Sequence, residues 1–505
     1  MKIAVIGAGY VGLVSAACFA ELGHQVIAVD NDPAKVEMLR AGHIPIHEDH
    51  LPELIARHRN NRLQFSSETR SACQQCDVVF ICVGTPPSVT GEADLSYVEG
   101  VARELSGALD RHKVIVEKST VPVGTCEAAY RTMLLNGASP EDFSIASNPE
   151  FLREGTAVTD FLYPDRILMG VSDEISRNAL LEIYMPIFEG TYKTQPGALL
   201  MDGAPKCAQQ IITSVKSAEM IKHASNAFLA LKISFINSVA NVCERVGADV
   251  REVALGMGTD SRIGPRFLHA GIGYGGSCFP KDVLAFRSVA ASVGYDFTLL
   301  TEVMAVNEDQ KRRFLSKVRE ALWTLRGKKL AVLGLAFKGG TDDCRDSPAI
   351  DLVKRLHAEG AKIVAFDPVA MERAKSLLPE GAAVYAESAY EACVGADALL
   401  LLTEWPEFAQ LDWVRVRHLL NCPIVLDGKN LLDPVAVRAA GLRYYGIGSI
   451  PETLGIPQKN SFATATDGLS SPTAGAADAD SYVLVSALQQ EANGTAAEAL
   501  SETMF

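Results

Sequence analysis

The sequence predicts an α/β protein in which two doubly wound parallel sheets are joined by a long central helix. Two series of short apolar segments support this fold class, one in residues 1–188 and one from Lys328 onward, because in each series the segments alternate with amphipathic helices. Between them, residues 213–246 contain no Gly or Pro and are apolar on nearly every face. That pattern predicts one buried helix of more than thirty residues.

The expected strands are strand-length apolar runs that begin and end at polar or turn-forming residues. In the first series they are residues 2–6, 25–29, 77–83, 114–117, 143–146 and 167–170. In the second series they are residues 328–333, 362–366, 398–402 and 424–426. Helical segments between successive strands predict parallel pairing in both sheets.

A chain of 505 residues has room for about three domains. We expect the first sheet in residues 1–212, a helical middle in 213–325, and the second sheet in 326–456. Residues 457–505 form the remainder. Because residues 460–505 contain six acidic residues and no Lys or Arg, this segment is predicted to be an acidic, disordered tail.

Composition excludes several classes of protein. A net charge of −14 lacks the basic surface that nucleic-acid binders use, so we expect no nucleic-acid partner. The longest apolar runs are strand-sized, which predicts no membrane span. The 11 cysteines are scattered without the spacing of a disulfide framework or zinc site, which indicates a reducing cytoplasm and no metal. The long apolar helix predicts a homo-oligomer, with its surface in a subunit interface.

The first chemical motif is the glycine loop Gly7-Ala8-Gly9-Tyr10-Val11-Gly12, which directly follows the first strand. Its first glycine permits a tight turn, its second lets the backbone approach a pyrophosphate, and its third permits close helix–strand packing. Asp30 ends the second strand, where an acid binds a ribose 2′-hydroxyl and disfavours a 2′-phosphate. The motif therefore predicts a Rossmann-like domain that binds NAD rather than NADP.

The second motif is the glycine-rich segment GIGYGGSCFPKD at residues 271–282, which surrounds Cys278. We expect Lys281 and Arg266 to lower the pKa of this thiol and to hold the thiolate, the nucleophilic form. The alternative is a buried, inert cysteine. Composition alone leaves both possibilities open.

Two further groups of charged residues allow two interpretations each. Lys222 and Asn226 share one face of the central helix, either as donors to a developing oxyanion or as part of a structural ion pair. Lys338 stands with Asp342, Asp343, Arg345 and Asp346 in the first turn of the second series. That turn lacks the GxGxxG pattern, so it either holds a nucleotide differently or is a solvated loop.

These motifs, with NPEFLREG at 148–155 and GLAFK at 334–338, give the sequence a resemblance to the UDP-glucose 6-dehydrogenase family. The similarity is collinear from residue 1 to about residue 450. Phe279, directly after the cysteine, resembles the UDP-glucose enzymes, whereas GDP-mannose relatives more often have Leu there. Two departures are a longer segment at 193–212 and the tail.

The resemblance implies a four-electron oxidation of a sugar alcohol to a carboxylate with two NAD⁺. Cys278 would add to the aldehyde as a thiohemiacetal, whose oxidation gives a thioester that water hydrolyses. Lys222 and Asn226 would stabilise the oxyanion and, with Asp282, position the water. Glu150 would act as the base for hydrolysis, with Thr120 nearby.

The resemblance also implies two sets of binding residues. The NAD contacts are Gly7, Gly9, Tyr10, Val11, Gly12, Asp30, Lys35, Thr85, Thr120, Glu154, Lys281 and Arg345. The nucleotide-sugar contacts are Glu150, Phe151, Leu152, Arg153, Glu154, Lys222, Asn226, Phe267, Leu268, His269, Ala270, Gly271, Gly275 and Lys338, with Arg266 reaching the substrate from a partner subunit.

Two other functions remain open. One is the oxidation of GDP-mannose or another nucleotide sugar, because one sequence defines the nucleobase site poorly. The other is a non-catalytic sugar-nucleotide sensor that acts through its tail. The presence of Cys278, Lys222 and Asp282 argues against the sensor.

Overall fold

The computed structural model describes residues 1–88, 91–195, 197–200 and 207–449. The predicted acidic tail, residues 457–505, lies outside the described residues. The elements fall into a first α/β region, a helical middle and a second α/β region.

The first α/β region is built on one sheet of eight strands with the order β3-β2-β1-β4-β5-β6-β7-β8. Its elements are β1 (Lys2–Ile6), α1 (Tyr10–Glu21), β2 (Gln25–Val29), α2 (Pro33–Ala41), α3 (Leu51–His58), β3 (Leu63–Ser66), α4 (Thr69–Gln75), β4 (Val78–Ile81), α5 (Ser96–Ser106), β5 (Lys113–Glu117), α6 (Thr125–Leu135), β6 (Phe143–Ser147), α7 (Ala157–Leu162), β7 (Arg166–Gly170), α8 (Glu174–Phe188), a 3₁₀ helix (Thr191–Thr194) and β8 (Gln209–Thr213).

The strands of this sheet run parallel from β3 to β6, with Ile3 opposite Val26 on one side and Val78 on the other. The prediction of a wholly parallel sheet is wrong at one junction, because β7 pairs antiparallel with β6. The chain between them forms a loop and the six-residue helix α7. β7 starts beyond the carboxyl end of β6 and runs back toward it, so the two strands meet at one residue pair, Ser147 and Gly170.

The helical middle contains α9 (Val215–Val246), α10 (Val250–Gly258), α11 (Phe279–Ser292) and α12 (Thr298–Leu322). The predicted long helix is thus present, and α9 packs against α11 and α12. In the single chain one side of α9 is open, because Phe228, Phe235 and Val242 are 60%, 50% and 57% exposed, and the expected burial of this side in a subunit interface stays a prediction.

Among the described residues, α9 is also the one helix long and apolar enough to cross a membrane by length and composition. However, its buried positions include the charged or polar side chains of Glu219, Lys222, Asn226 and Asn237. A helix with such groups packed against two other helices is a core helix of this fold.

The second α/β region is built on a sheet of six strands, all parallel, with the order β11-β10-β9-β12-β13-β14. Its elements are β9 (Lys329–Leu333), α13 (Pro348–Ala358), β10 (Lys362–Phe366), α14 (Met371–Leu377), β11 (Val384–Tyr385), α15 (Ala389–Cys393), β12 (Ala398–Leu401), α16 (Pro406–Ala409), α17 (Trp413–Leu419), β13 (Ile424–Asp427), α18 (Pro434–Ala439) and β14 (Arg443–Tyr445).

The two sheets share one topology, since the order of the second repeats the first six positions of the first. In each sheet the strand order reverses at one point, between β1 and β4 and between β9 and β12. Ligands of doubly wound proteins bind at the carboxyl ends of the strands beside this reversal. The predicted fold class, two Rossmann-like sheets joined by a long helix, is confirmed, and it provides two such crevices.

Candidate active site

The carboxyl ends of β4, β5 and β6 bring three of the predicted residues to one edge of the first sheet. Thr85, Thr120 and Glu150 each follow one of these strands. The hydroxyl of Thr85 donates a hydrogen bond of 2.9 Å to the carbonyl oxygen of Thr120. Residues far apart in sequence therefore line one crevice beside the glycine loop.

The glycine loop has the shape that a pyrophosphate requires. Gly7 has a φ of +99°, and a Cβ on Gly12 would lie 1.8 Å from the carbonyl oxygen of Gly7. A Cβ on Gly9 would meet nothing within 4 Å. Gly9 directly precedes α1, whose first two residues are Tyr10 and Val11. The open space at Gly9 therefore lies at the start of the helix, where backbone amides are free to bind an anion. The loop fits the phosphates of a dinucleotide.

Asp30 is buried at the end of β2 and already bound to the glycine loop. Its Oδ2 accepts hydrogen bonds from the amide of Ala8 at 3.0 Å and from Nζ of Lys35 at 2.9 Å. Asp30 and Lys35, both predicted to contact NAD, therefore lie together beside the loop. A carboxylate and an ammonium group at this place can hydrogen-bond the hydroxyls of a ribose.

The reactive centre forms where α9 meets the loop after β6 and the start of α11. Nζ of Lys222 lies 3.0 Å from Oε1 of Glu150, and both side chains are buried. Nδ2 of Asn226 donates a 2.6 Å hydrogen bond to Asp282, which also pairs with Lys281 at 2.8 Å. Lys222 is thus in a structural ion pair and Asn226 in a hydrogen bond, and their role as donors to an oxyanion stays a prediction.

Cys278 is the residue directly before α11, and the hydroxyl of Ser277 lies 3.6 Å from its Sγ. Burial and the carboxylate of Glu150 raise the pKa of the thiol to about 11, and Lys222 lowers it. The expectation that Lys281 and Arg266 lower this pKa is wrong. Arg266 is exposed and lies 3.8 Å from Asp165, and Lys281 is paired with a carboxylate.

The pKa values of the neighbouring groups follow from the same packing. Burial alone would lower the pKa of Lys222, but Glu150, Cys278 and Asp282 outweigh it and raise that pKa. Burial would raise the pKa of Asp282, but Lys281 and Lys222 lower it. The packing therefore favours the charged forms of Lys222 and Asp282 and the neutral form of the Cys278 thiol.

Glu154 connects three parts of the chain at this centre. Its Oε1 accepts a 2.8 Å hydrogen bond from Ser277 and lies 3.4 Å from Arg345. Burial and the nearby Asp343 raise the pKa of Glu154 to about 7. Lys281 also reaches Thr85 at 3.3 Å, so the cysteine loop contacts the cofactor edge directly.

Glycines bring the second sheet close to this centre. A Cβ on Gly275 would lie 2.3 Å from the carbonyl oxygen of Asp346, and a Cβ on Gly155 would lie 2.5 Å from that of Gly340. The amide of Gly276 donates to the carbonyl of Arg345 at 2.9 Å. Only residues without side chains allow loops from all three regions to meet at this distance.

The predicted segment 267–271 runs between α9 and the second sheet. The ring of Phe267 lies 6.1 Å from that of Phe279, and Leu268 is buried. His269 contacts the carbonyl of Lys429, and the carbonyl of Ala270 accepts a hydrogen bond from Asn430 at 3.2 Å. The amide of Gly271 donates to Asn237 at 2.9 Å. These contacts place the segment along the second crevice.

Lys338 lies in the turn after β9, at the carboxyl end of that strand. Its Nζ lies 5.9 Å from the ring centroid of Phe337. Burial lowers the pKa of Lys338 to about 8, although Glu404 and Glu154 oppose this. Because burial makes this cation costly, a bound phosphate or sugar oxygen would stabilise its charge.

The remaining predicted residues hold the loop after β6. The ring of Phe151 lies 5.3 Å from Nζ of Lys222, and the amide of Leu152 donates to Glu150. Arg153 is ion-paired with Asp160 at 2.7 Å. In this chain these contacts fix the loop around Glu150.

Sequence reasoning missed Lys118, which is buried directly after β5. Its Nζ donates to Oδ1 of Asn148 at 3.1 Å, and the hydroxyl of Tyr184 donates to the same oxygen at 2.6 Å. This cluster fixes the turn that leads to Glu150. The available signal was a lysine placed at the carboxyl end of an otherwise apolar strand.

Comparison with known proteins agrees with this geometry. Residues 1–188 match the NAD binding domain of the UDP-glucose/GDP-mannose dehydrogenase family, residues 216–309 its central domain, and residues 331–434 its UDP binding domain. UDP-glucose 6-dehydrogenase TuaD of Bacillus subtilis (strain 168) is 44% identical over 448 residues, 88% of this chain and 93% of that protein. UDP-glucose 6-dehydrogenase of Rhizobium meliloti (strain 1021) is 46% identical over 454 residues, 89% and 99% of the two chains.

Solved structures give the same result. A UDP-glucose dehydrogenase from Pyrobaculum islandicum aligns with a TM-score of 0.79 at 38% identity, covering 89% of this chain and 98% of that one. A UDP-D-ManNAc dehydrogenase from Pyrococcus horikoshii aligns with a TM-score of 0.75 at 28% identity, covering 89% and 99%.

The fold and the site together define an NAD-dependent oxidoreductase with a second domain for a nucleotide sugar. More specifically, the chain belongs to the UDP-glucose/GDP-mannose dehydrogenase family, as its sequence motifs indicate.

The glycine loop permits a matched test of cofactor binding. Gly9→Ala adds a Cβ to open space, so we expect an unchanged melting temperature and an NADH dissociation constant raised at least about tenfold. Gly12→Ala places its Cβ against the carbonyl of Gly7 and should destabilise the fold by roughly 1–3 kcal/mol. Thermal unfolding and NADH fluorescence titration measure both effects. Normal NADH binding by a folded Gly9→Ala variant would contradict this role for the loop.

Proposed function

We propose that this chain oxidises UDP-glucose to UDP-glucuronate in two NAD⁺-dependent steps, with Cys278 as the covalent nucleophile. The observation that carries the proposal is the cluster of Cys278, Lys222, Asn226, Asp282 and Glu150 between the two crevices. Curated relatives at 44% and 46% identity are UDP-glucose 6-dehydrogenases, which supports this choice of substrate.

The domains divide the binding work in this proposal. Residues 1–212 hold NAD through the glycine loop, Asp30 and Lys35. Residues 326–456 hold the nucleotide sugar through Lys338, together with the segment 267–271. Residues 213–325 supply α9 and the cysteine loop. In this proposal the reacting sugar carbon lies at Cys278, between the two nucleotides.

The first oxidation removes a hydride from the alcohol carbon of the sugar and gives an aldehyde. The reaction then needs the cysteine, because an aldehyde has no hydroxyl from which a second hydride loss can start. NAD⁺, when bound, accepts the hydride in each oxidation. Sγ of Cys278 adds to the aldehyde carbon and forms a C–S bond, while Lys222 and Asn226 donate to the resulting oxygen. Oxidation of this thiohemiacetal leaves a thioester on the cysteine.

Hydrolysis releases the acid and restores the thiol. Glu150 takes a proton from water as the water attacks the thioester carbon, and the C–S bond then breaks. The ion pair of 3.0 Å with Lys222 holds this carboxylate in place. Because burial and Glu150 raise the pKa of Cys278 to about 11, the thiol keeps its proton until it attacks, and that proton then passes to the former aldehyde oxygen, which becomes the hydroxyl of the thiohemiacetal.

The first test is reaction stoichiometry with different nucleotide sugars. Pure protein with UDP-glucose and excess NAD⁺ should form two NADH per sugar consumed, because the alcohol and the thiohemiacetal are each oxidised once. Absorbance at the NADH band and chromatography of the sugar measure the ratio. Turnover of GDP-mannose without turnover of UDP-glucose would favour the first alternative, and turnover of neither would favour the sensor.

A serine in place of the nucleophile should stall the reaction before acid release. In Cys278→Ser an alkoxide leaves poorly from the resulting ester, so steady-state UDP-glucuronate formation should fall at least about a hundredfold. Cys422→Ser, a half-buried cysteine of the second α/β region, is the matched control and should keep full activity. Full acid production by Cys278→Ser would show that the cysteine is not the nucleophile.

We also propose that the protein is a cytoplasmic homodimer or higher homo-oligomer. The exposed residues Phe228, Phe235 and Val242 recur every seven positions and form one apolar stripe on α9. Such a stripe is suited to pairing with its copy in a second chain. The eleven cysteines are free, which fits a reducing compartment.

A charge within the stripe should separate the subunits. Phe235→Asp is expected to shift the sedimentation coefficient to that of a monomer, because the interface would bury an unpaired carboxylate. Leu135→Asp, at an 86% exposed position of α6, is the control and should leave assembly unchanged. An oligomer unaffected by Phe235→Asp would place the interface elsewhere.

A further inference from the structure

Glu48 is a buried carboxylate that the reaction scheme above does not use. Its Oε2 accepts hydrogen bonds from the hydroxyl of Tyr10 and, at 2.6 Å, from the amide of Gly155. Its Oε1 accepts from the amide of Ala157 at 2.6 Å. The amide of Gly155 also donates to the hydroxyl oxygen of Tyr10 at 2.9 Å. One side chain thus ties together two loops about 145 residues apart.

The two loops carry different parts of the site. Tyr10 belongs to the glycine loop and begins α1. Gly155 ends the loop after β6, which carries Glu150 and Glu154. A shift of this loop would move both carboxylates relative to Cys278.

The segment that presents Glu48 also contacts the second α/β region. Arg373 of α14 donates a 3.0 Å hydrogen bond to the carbonyl of Pro45 and pairs with Asp342 at 2.7 Å. Pro45 lies three residues before Glu48. Through this segment, the position of the second sheet is linked to the glycine loop and to the loop after β6.

We propose that Glu48 is a positioning residue that fixes the loop carrying Glu150 and Glu154 against the glycine loop. Its effect on chemistry passes through Glu150, so the proposal rests on the role proposed above for Glu150 in thioester hydrolysis. A carboxylate suits this position because both of its oxygens accept hydrogen bonds. A glutamine can accept through only one, and its NH₂ group would face an amide or a hydroxyl.

The test is the rate at which the covalent intermediate decays. Glu48→Gln should lower kcat and slow acyl-enzyme decay on the order of tenfold to a hundredfold, because Glu150 loses its alignment with the attacking water. The KM for UDP-glucose should stay within about threefold, because the Arg373 contact to the backbone of Pro45 remains and neither Lys338 nor the segment 267–271 is altered. Acid-quenched samples of protein, UDP-glucose and NAD⁺ give the acyl-enzyme fraction by intact mass.

Asp49→Asn is the matched control, because it removes the same charge one residue further along at an exposed position. It should leave kcat and acyl-enzyme decay unchanged. Decay at the parental rate in a folded Glu48→Gln variant would overturn the proposal. If Cys278→Ser has already disproved the covalent mechanism, a parental kcat in Glu48→Gln would still overturn the proposal that Glu48 positions the loop.

Tyr10→Phe gives a second test that does not depend on how well Glu48→Gln folds. It removes one hydroxyl donor and leaves the carboxylate and the packing in place. We expect acyl-enzyme decay to slow, whether or not the KM for NAD⁺ also changes. A variant in which only the KM for NAD⁺ changed would show that Tyr10 acts on the cofactor alone, and would contradict the proposal.

Discussion

The buried ion pair between Lys222 and Glu150 is the interaction on which the rest of the site depends. It joins α9 to the loop after β6, with both side chains nearly inaccessible to water. Removing one partner would leave an unpaired charge in the core, which costs about 3–5 kcal/mol. Burial raises the pKa of the Cys278 thiol most, and the pair acts on the same thiol, because Glu150 raises this pKa further and Lys222 lowers it. The same two charges therefore affect both the stability of the fold and the reactivity of the Cys278 thiol.

Close backbone contact is the second requirement. The chain is acidic overall, with a net charge of −14, yet its ligands are anionic nucleotides. Local cations and amides must therefore bind them against the net charge. Glycines at positions 155 and 275 let loops of three regions approach within van der Waals distance. This approach brings the cation of Lys338 and the amides of the glycine loop to the two sides of one centre.

The sequence predicted the buried parts of this fold and missed the parts set by neighbours. The central strands were found because both of their faces are apolar. The missed strands β3, β8, β11 and β14 all lie at sheet edges, where exposure breaks the apolar run. The glycine loop and the cysteine motif are local patterns and were found. The pKa shift of Cys278 was not, because the charged groups that act on it, Glu150 and Lys222, lie far away in the sequence. Glu48 has no local signal in the sequence.

The central claim is that the chain forms a covalent bond through Cys278 during turnover. The most direct measurement is peptide mass mapping of protein quenched in acid while it oxidises UDP-glucose with NAD⁺. The account predicts a nucleotide-sugar acyl group on the peptide that contains Cys278, and its loss as UDP-glucuronate appears. Continued turnover with Cys278 unmodified and fully reactive toward an alkylating reagent at every time point would contradict the account.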